Sequence, residues 1–235
     1  MIIFGGDISM NGTGLVKYKL DENLNVIEKD YLTFTSVKYK SERSNGKILL
    51  WEPEMFPNYI EKNRWFHNHI IKFVAGSEYC ALENYSFASK GLTFNIAEFT
   101  GLLKYLLYEN KMKIRLYAPT VVKKFATSYG AKGKNLVVDT YDFTELSNKF
   151  DLDYLLEDKS GVISKRKNDP RYESPRADII DAYFLAETLL MELKLRRNIL
   201  SINGLDKKKK EIFFSKSKKT DLSVMETEFL QKGMI

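Results

Sequence analysis

Residues 1–20, "MIIFGGDISMNGTGLVKYKL", decide how the rest of the chain is read. "MIIFGGD" is a short apolar run closed by glycines. "GTGLVKYKL" alternates apolar and polar residues, as a strand with one covered face does. The turn residues "DENLN" follow at 21–25, and "VIEKDYLTFTSV" is a third extended segment. Together they predict a three-stranded antiparallel meander.

Working outward, residues 39–56 read as an irregular insertion. "PNYIEKNRWFHNHIIKFVAG", 57–76, opens with proline and closes with glycine, as helices tend to. "EYCALENY", 78–85, is short and apolar enough for a buried strand, and "TFNIAEFTGLLKYLLYEN", 93–110, has core-helix spacing. "KIRLYAP" is a fifth strand, "PTVVKKFATSYG" a helix over 119–130, and "GKNLVVDTYDFTELS" a further helix. Residues 148–174 form a second, charged insertion, and the last long helix runs over about 175–197. A meander leading into βαβ units predicts an α/β fold. Its mixed five-stranded sheet has two parallel strands after the meander, helices on both faces, and ligand chemistry at the C-terminal strand ends.

The 235 residues suit one domain over 1–200, with 201–235 as a basic, flexible tail. Thirty-seven basic against thirty-one acidic residues leave a net charge of +6, which favours a polyanionic partner. The single cysteine, Cys80, rules out an intramolecular disulfide framework and reads as a small buried hydrophobe. No apolar run of membrane-spanning length is present, so the expected setting is cytoplasmic, with no membrane partner.

The chemistry lies in acidic residues at strand ends and on the last helix. Asp7 closes the first strand before the glycine-rich "ISMNGTG", and Glu83 closes the fourth. Asp178 and Asp181, in "PRADIIDAYFLAETLL", are three apart and therefore share one side of a helix. If that helix crosses the sheet near strands one and four, four carboxylates meet, an arrangement that calls for cations. Oxygen-rich acidic sites suit Mg²⁺ or Mn²⁺, and a pair of such ions activates water against a phosphodiester. Hydrolysis of a nucleic-acid backbone is the chemistry these residues predict.

"GGDISMNGTG", "ALENYSFASKG", "APTVVKKFATSYGAKGK" and "ADIIDAYFLAETLL" occur in the order of the four blocks of RuvC-type Holliday-junction resolvases. Over roughly residues 1–195 the chain resembles that family, within the RNase H-like superfamily. The resemblance implies that Asp7, Glu83, Asp178 and Asp181 are a catalytic tetrad holding two Mg²⁺ or Mn²⁺ ions. It implies that Lys123 and Lys134, eleven positions apart like the family's lysine pair, act near the scissile phosphate. Lys124 and Lys132 extend the basic strip. The family's aromatic wedge position is Ser86 here, leaving its neighbours Tyr85 and Phe87 as the residues to stack in an opened junction. The implied activity is metal-dependent cleavage of four-way junctions or other branched DNA by a homodimer.

Rival readings are an actin- or sugar-kinase-like ATPase, whose superfamily also opens with an Asp-bearing hairpin, and a non-catalytic junction-binding protein. The kinase reading lacks a second phosphate loop and an adenosine motif. Asp139 and Asp142 repeat the three-residue spacing but are expected on a solvated face. His67 and His69 point about 200° apart on a helix, so they are expected as ordinary, partly exposed side chains. Glu98, within an apolar helix, reads as a capping or snorkelling residue.

Overall fold

The computed structural model describes residues 1–9, 12–36, 46–84, 93–127, 175–217 and 220–233. Six strands form one sheet: β1 (Ile2–Asp7), β2 (Thr13–Leu20), β3 (Val26–Thr35), β4 (Ile48–Leu50), β5 (Tyr79–Glu83) and β6 (Lys113–Tyr117). Their spatial order is β4-β3-β2-β1-β5-β6. β1, β2 and β3 pair antiparallel, whereas β5 and β6 run parallel to β1. This is the meander followed by parallel strands that the sequence predicts, and the strand order of an RNase H-like domain. The sheet has one strand more than expected. β4, inside the stretch read as irregular, adds three parallel pairs to the outer edge of β3.

The helices are α1 (Tyr59–Phe73), α2 (Thr93–Glu109), α3 (Pro119–Thr127), α4 (Arg176–Arg196) and α5 (Lys207–Phe214). Alternation along the strands sorts the core into two layers. Phe4, Leu15, Leu32, Phe34, Cys80 and Leu82 pack with Phe66 and Ile70 of α1 and Phe99, Leu103 and Leu107 of α2. Ile3, Val16, Tyr18, Tyr31 and Ala81 point the other way, onto α4 and Val122 of α3. Cys80 is buried in the first layer as a hydrophobe, and burial pushes its thiol well above the usual range.

α4 has no single polar face because it is covered on several sides. One side lies on β1, β2 and β5, and α3 packs beside it. Leu195 joins Leu205 and the α5 residues Ile212 and Phe213 in a third cluster. The described residues beyond 200 therefore pack against the domain, contrary to the flexible tail that their lysine content suggests. Two contacts explain the difference. α5 buries Ile212 and Phe213, and Leu230 exchanges backbone hydrogen bonds of 2.8 and 3.0 Å with Ile114 on the free edge of β6.

His67 also differs from expectation. It is buried, with Nε2 3.0 Å from the carbonyl oxygen of Phe99 and its ring stacked on that residue's ring. Burial lowers its pKa, so it sits in the α1–α2 contact as a neutral packing residue. Among the described residues no helix is long and apolar enough to cross a membrane.

Candidate active site

Asp7 and Glu83 point to the α4 side of the sheet. Asp7 has the parity of Ile3 and Gly5, and Glu83 that of Ala81, all on the face α4 covers. The parallel register pairs Gly6 with Leu82, so Asp7 and Glu83 are the next residues along two adjacent strands. Both stand at strand C-terminal ends, where side chains are held by the ladder but still open to solvent.

α4 brings the other two carboxylates by lying directly on glycines. A Cβ on Gly14 would stand 2.1 Å from the carbonyl oxygen of Asp178, and one on Gly5 would stand 2.3 Å from that of Ala182 and 2.4 Å from the amide nitrogen of Ala186. Gly14 is paired across the ladder with Asp7 itself. The helix backbone thus touches the strand backbone where Asp7 emerges, and the three-residue spacing carries Asp178 and Asp181 to the same place. Their side chains keep partial exposure, as do Asp7, Glu83 and Lys123.

The electrostatics record this convergence. Surrounding protein atoms, and then the charges of Asp181, Glu83 and Asp178, push the Asp7 carboxyl well above its usual value, while Lys123 pulls the other way. Glu83 is also raised, by burial, with Lys123 again opposing. Among the described residues Lys123 on α3 is therefore a cation that faces the acidic group. Its neighbour Lys124 turns aside and holds Glu211 of α5 at 2.6 Å.

Among the described residues no three His, Cys, Asp or Glu side chains are placed to hold a metal ion between them. The carboxylates are close enough to repel one another without sharing one coordination shell. The donor chemistry nevertheless fits a hard divalent cation: every candidate ligand is a carboxylate oxygen, and the burial and like-charge repulsion that raise Asp7 are what such an ion offsets. Lys132, Lys134, Tyr85, Phe87, Asp139 and Asp142 lie outside the described residues. His69 donates from Nδ1 to the Trp65 carbonyl oxygen on its own helix at 2.8 Å, and Glu98 is exposed.

A second charged group escaped the sequence reading. Glu192 of α4 is fully buried and meets Arg115 of β6 at 3.0 Å, Arg196 at 2.7 Å and the hydroxyl of Tyr117 at 2.5 Å. Arg115 also donates to the Thr227 hydroxyl and to the carbonyls of Thr227 and Glu228. A single Arg inside the strand "KIRLY" was the available signal, since a charge at a buried strand position needs a partner.

No family model matches the sequence, and no curated protein matches it. The structure is similar to that of RuvC from Thermus thermophilus, with a TM-score of 0.49 and 14% identity over 85% of this chain and 98% of that one. It is similar to the Holliday junction resolvase of fowlpox virus, solved with junction DNA, at a TM-score of 0.44 and 15% identity over 82% and 99% of the two chains. The yeast mitochondrial Holliday junction resolvase gives 0.46 and 14% over 83% and 81%. These are likenesses of fold, and the RNase H-like assignment rests on the strand order and register described above.

Proposed function

We propose that the protein is a metal-dependent, structure-selective endonuclease that cuts branched DNA, four-way junctions foremost. The observation that carries this reading is the meeting of Asp7, Glu83, Asp178, Asp181 and Lys123 at the C-terminal ends of β1 and β5. The four carboxylates would hold Mg²⁺ or Mn²⁺, which when bound supplies an activated water and a stabilised leaving oxygen for phosphodiester hydrolysis. Glycine seating fixes the α4 backbone against β1 and β2, which keeps Asp178 and Asp181 near the carboxylates of Asp7 and Glu83. Lys123 lowers the negative charge that a phosphate meets on approach and presents a point charge to its oxygens. In this reading Lys134 acts with Lys123 near the scissile phosphate, Lys132 extends the basic strip, and Tyr85 or Phe87 stacks on an exposed base.

The same reading includes a homodimer, which gives two sites for two symmetric cuts. The apolar, solvent-facing side of α2, where Phe94 is 86% exposed with Leu102 and Tyr105 on the same side, supports such a contact.

The test is a panel of labelled four-way, Y-shaped, flapped and linear DNAs incubated with Mg²⁺, Mn²⁺, Ca²⁺ or chelator, with cut sites mapped on both strands. Paired cuts at branches, present with Mg²⁺ or Mn²⁺ and abolished by chelator, are expected. Glu83→Gln and Asp181→Asn should bind the junction and leave it intact. Cleavage by these variants at the wild-type rate would sink the assignment.

A further inference from the structure

Four consecutive lysines, Lys207–Lys210, fill the first turn of α5, and that turn holds no acidic residue. The N-terminus of a helix is its positive end, so positive side chains there weaken the helix, and four neighbouring ammonium groups also repel one another. The nearby acids are already engaged. Asp206 caps the helix by accepting from the Lys209 amide at 2.9 Å, and its other oxygen lies 3.7 Å from the Lys209 ammonium. Glu211 is held by Lys124. Lys207 and Lys208 remain exposed and Lys210 half-exposed, with no ion pair to a described residue.

These lysines stand on a fixed support. Ile212 and Phe213 are buried against Leu195 and Leu205, the Met225 amide donates to the Phe213 carbonyl at 3.1 Å, and Lys124–Glu211 ties α5 to α3. Lys124, first by its hydrogen bond, and then Lys208 and Lys207 hold the Glu211 carboxyl below its usual value, so both α5 lysines lie within reach of the α3 contact. One residue from Lys124, Lys123 faces the acidic group. Lys123 at the acidic group and the α5 lysines thus lie on either side of the Lys124–Glu211 pair.

We infer that the α5 lysines, with α3, form a docking surface for the phosphates of a duplex arm leaving the branch point. This rests on the branched-DNA reading above and adds to it a place and a partner. α5 packs at Leu195, fourteen residues beyond Asp181, which at 1.5 Å per residue is about 20 Å along α4. A turn of B-DNA is about 34 Å, so a duplex arm that runs from the acidic group along α4 reaches α5 within its first turn. A surface that reads only phosphates holds an arm of any sequence and leaves selection to branch geometry.

The test measures junction affinity across a KCl series for the full chain, for a Lys207→Gln, Lys208→Gln, Lys210→Gln variant, and for a control with Lys29→Gln, Lys72→Gln, Lys111→Gln. The control removes the same charge from exposed sites elsewhere. Taking positive charge off a helix N-terminus favours the helix, so the α5 variant keeps its fold. Its slope of log affinity against log salt should be shallower than wild type by about 2, with roughly tenfold weaker binding at low salt, because each phosphate contact contributes about 0.9 to the slope. The control should stay near wild type. An unchanged slope in the α5 variant, or an equal loss in the control, overturns the docking surface alone. A wild-type protein that binds no branched DNA overturns this surface and the proposed function together.

Discussion

The carbonyl oxygen of Asp178 occupies the space in which a side chain on Gly14 would begin: a Cβ there would lie 2.1 Å away. Since Gly14 pairs with Asp7, this contact sets the distance between the carboxylate of the strand and those of the helix. Gly14→Ala must push the first turn of α4 off the sheet. Overpacking of this kind costs about 1–3 kcal/mol or more. Displacing reacting groups by about 1 Å is enough to slow cleavage about 100-fold. Gly101→Ala, in α2 with nothing within 4 Å of the new methyl group, should instead gain roughly 0.5–1 kcal/mol. Denaturant midpoints and single-turnover cleavage measure both. A Gly14→Ala protein with normal stability and normal cleavage would show that the helix is not seated there.

The acidic group should make the metal-free protein less stable as pH rises. Burial, then Asp181, Glu83 and Asp178, lift Asp7 above its ordinary 3.8, and burial lifts Glu83 above its ordinary 4.5. A carboxyl that holds its proton more tightly when folded contributes stability below the unfolded value and loses it as pH climbs through the folded one. Asp7→Asn removes one such group. It should melt above wild type at neutral pH in chelator, and the difference should vanish below about pH 4. Mg²⁺ at about 100 times its dissociation constant should stabilise the wild type by about 2.7 kcal/mol and the variant much less. Melting curves that coincide at every pH, with no response to Mg²⁺, would remove the case for a repulsive carboxylate cluster.

Much of this site was legible in the sequence because it follows from short-range rules. Strand alternation gives Asp7 and Glu83 the same side, and the three-residue helical spacing gives Asp178 and Asp181 another shared side. The meander and the bounds of α4 followed from apolar periodicity and turn residues. What escaped depends on distant partners. The role of Gly5 is one such feature: within a strand that ends at Asp7 as read, it provides the seat for α4. β4 has only three residues and is held by parallel pairing to β3. The residues beyond 200 read as a flexible basic tail because eight lysines stand there against five acids. Their docking depends on Leu195, Ile114 and Arg115, far away in the chain.

The buried Glu192 cluster should show strong non-additivity. Glu192→Ala leaves Arg115, itself only 6% exposed, without its carboxylate, a loss of about 3–5 kcal/mol. Arg115→Met alone leaves Glu192 with Arg196 and the Tyr117 hydroxyl, and frees the Thr227 and Glu228 carbonyls. The double variant should be less destabilised than the sum of the two, by about 1–3 kcal/mol, because neither charge is then stranded by loss of the other. Protease sensitivity of residues 223–230 should rise in both single variants, since Arg115 and Arg196 hold the backbone there. Simple additivity in urea melts would mean that the two side chains act independently.

The exposed side of α2 leads to a last expectation, about assembly. Phe94, Glu98, Gly101, Leu102 and Tyr105 recur at the spacing of one helical face, and all are exposed. Phe94, Leu102 and Tyr105 together offer apolar surface that a monomer would leave in water. Two copies related by a two-fold axis can cover it with the same residues on each side. Leu102→Asp with Tyr105→Asp places four carboxylates across that axis and should give a monomer by sedimentation velocity. Neither residue approaches Asp7 or Glu83, so the acidic group persists, but a monomer carries only one. Junctions should then be nicked on one strand per encounter instead of cut on two, which a supercoiled cruciform plasmid separates as nicked circles versus linear product. A wild-type chain that sediments as a monomer at every concentration would exclude this interface.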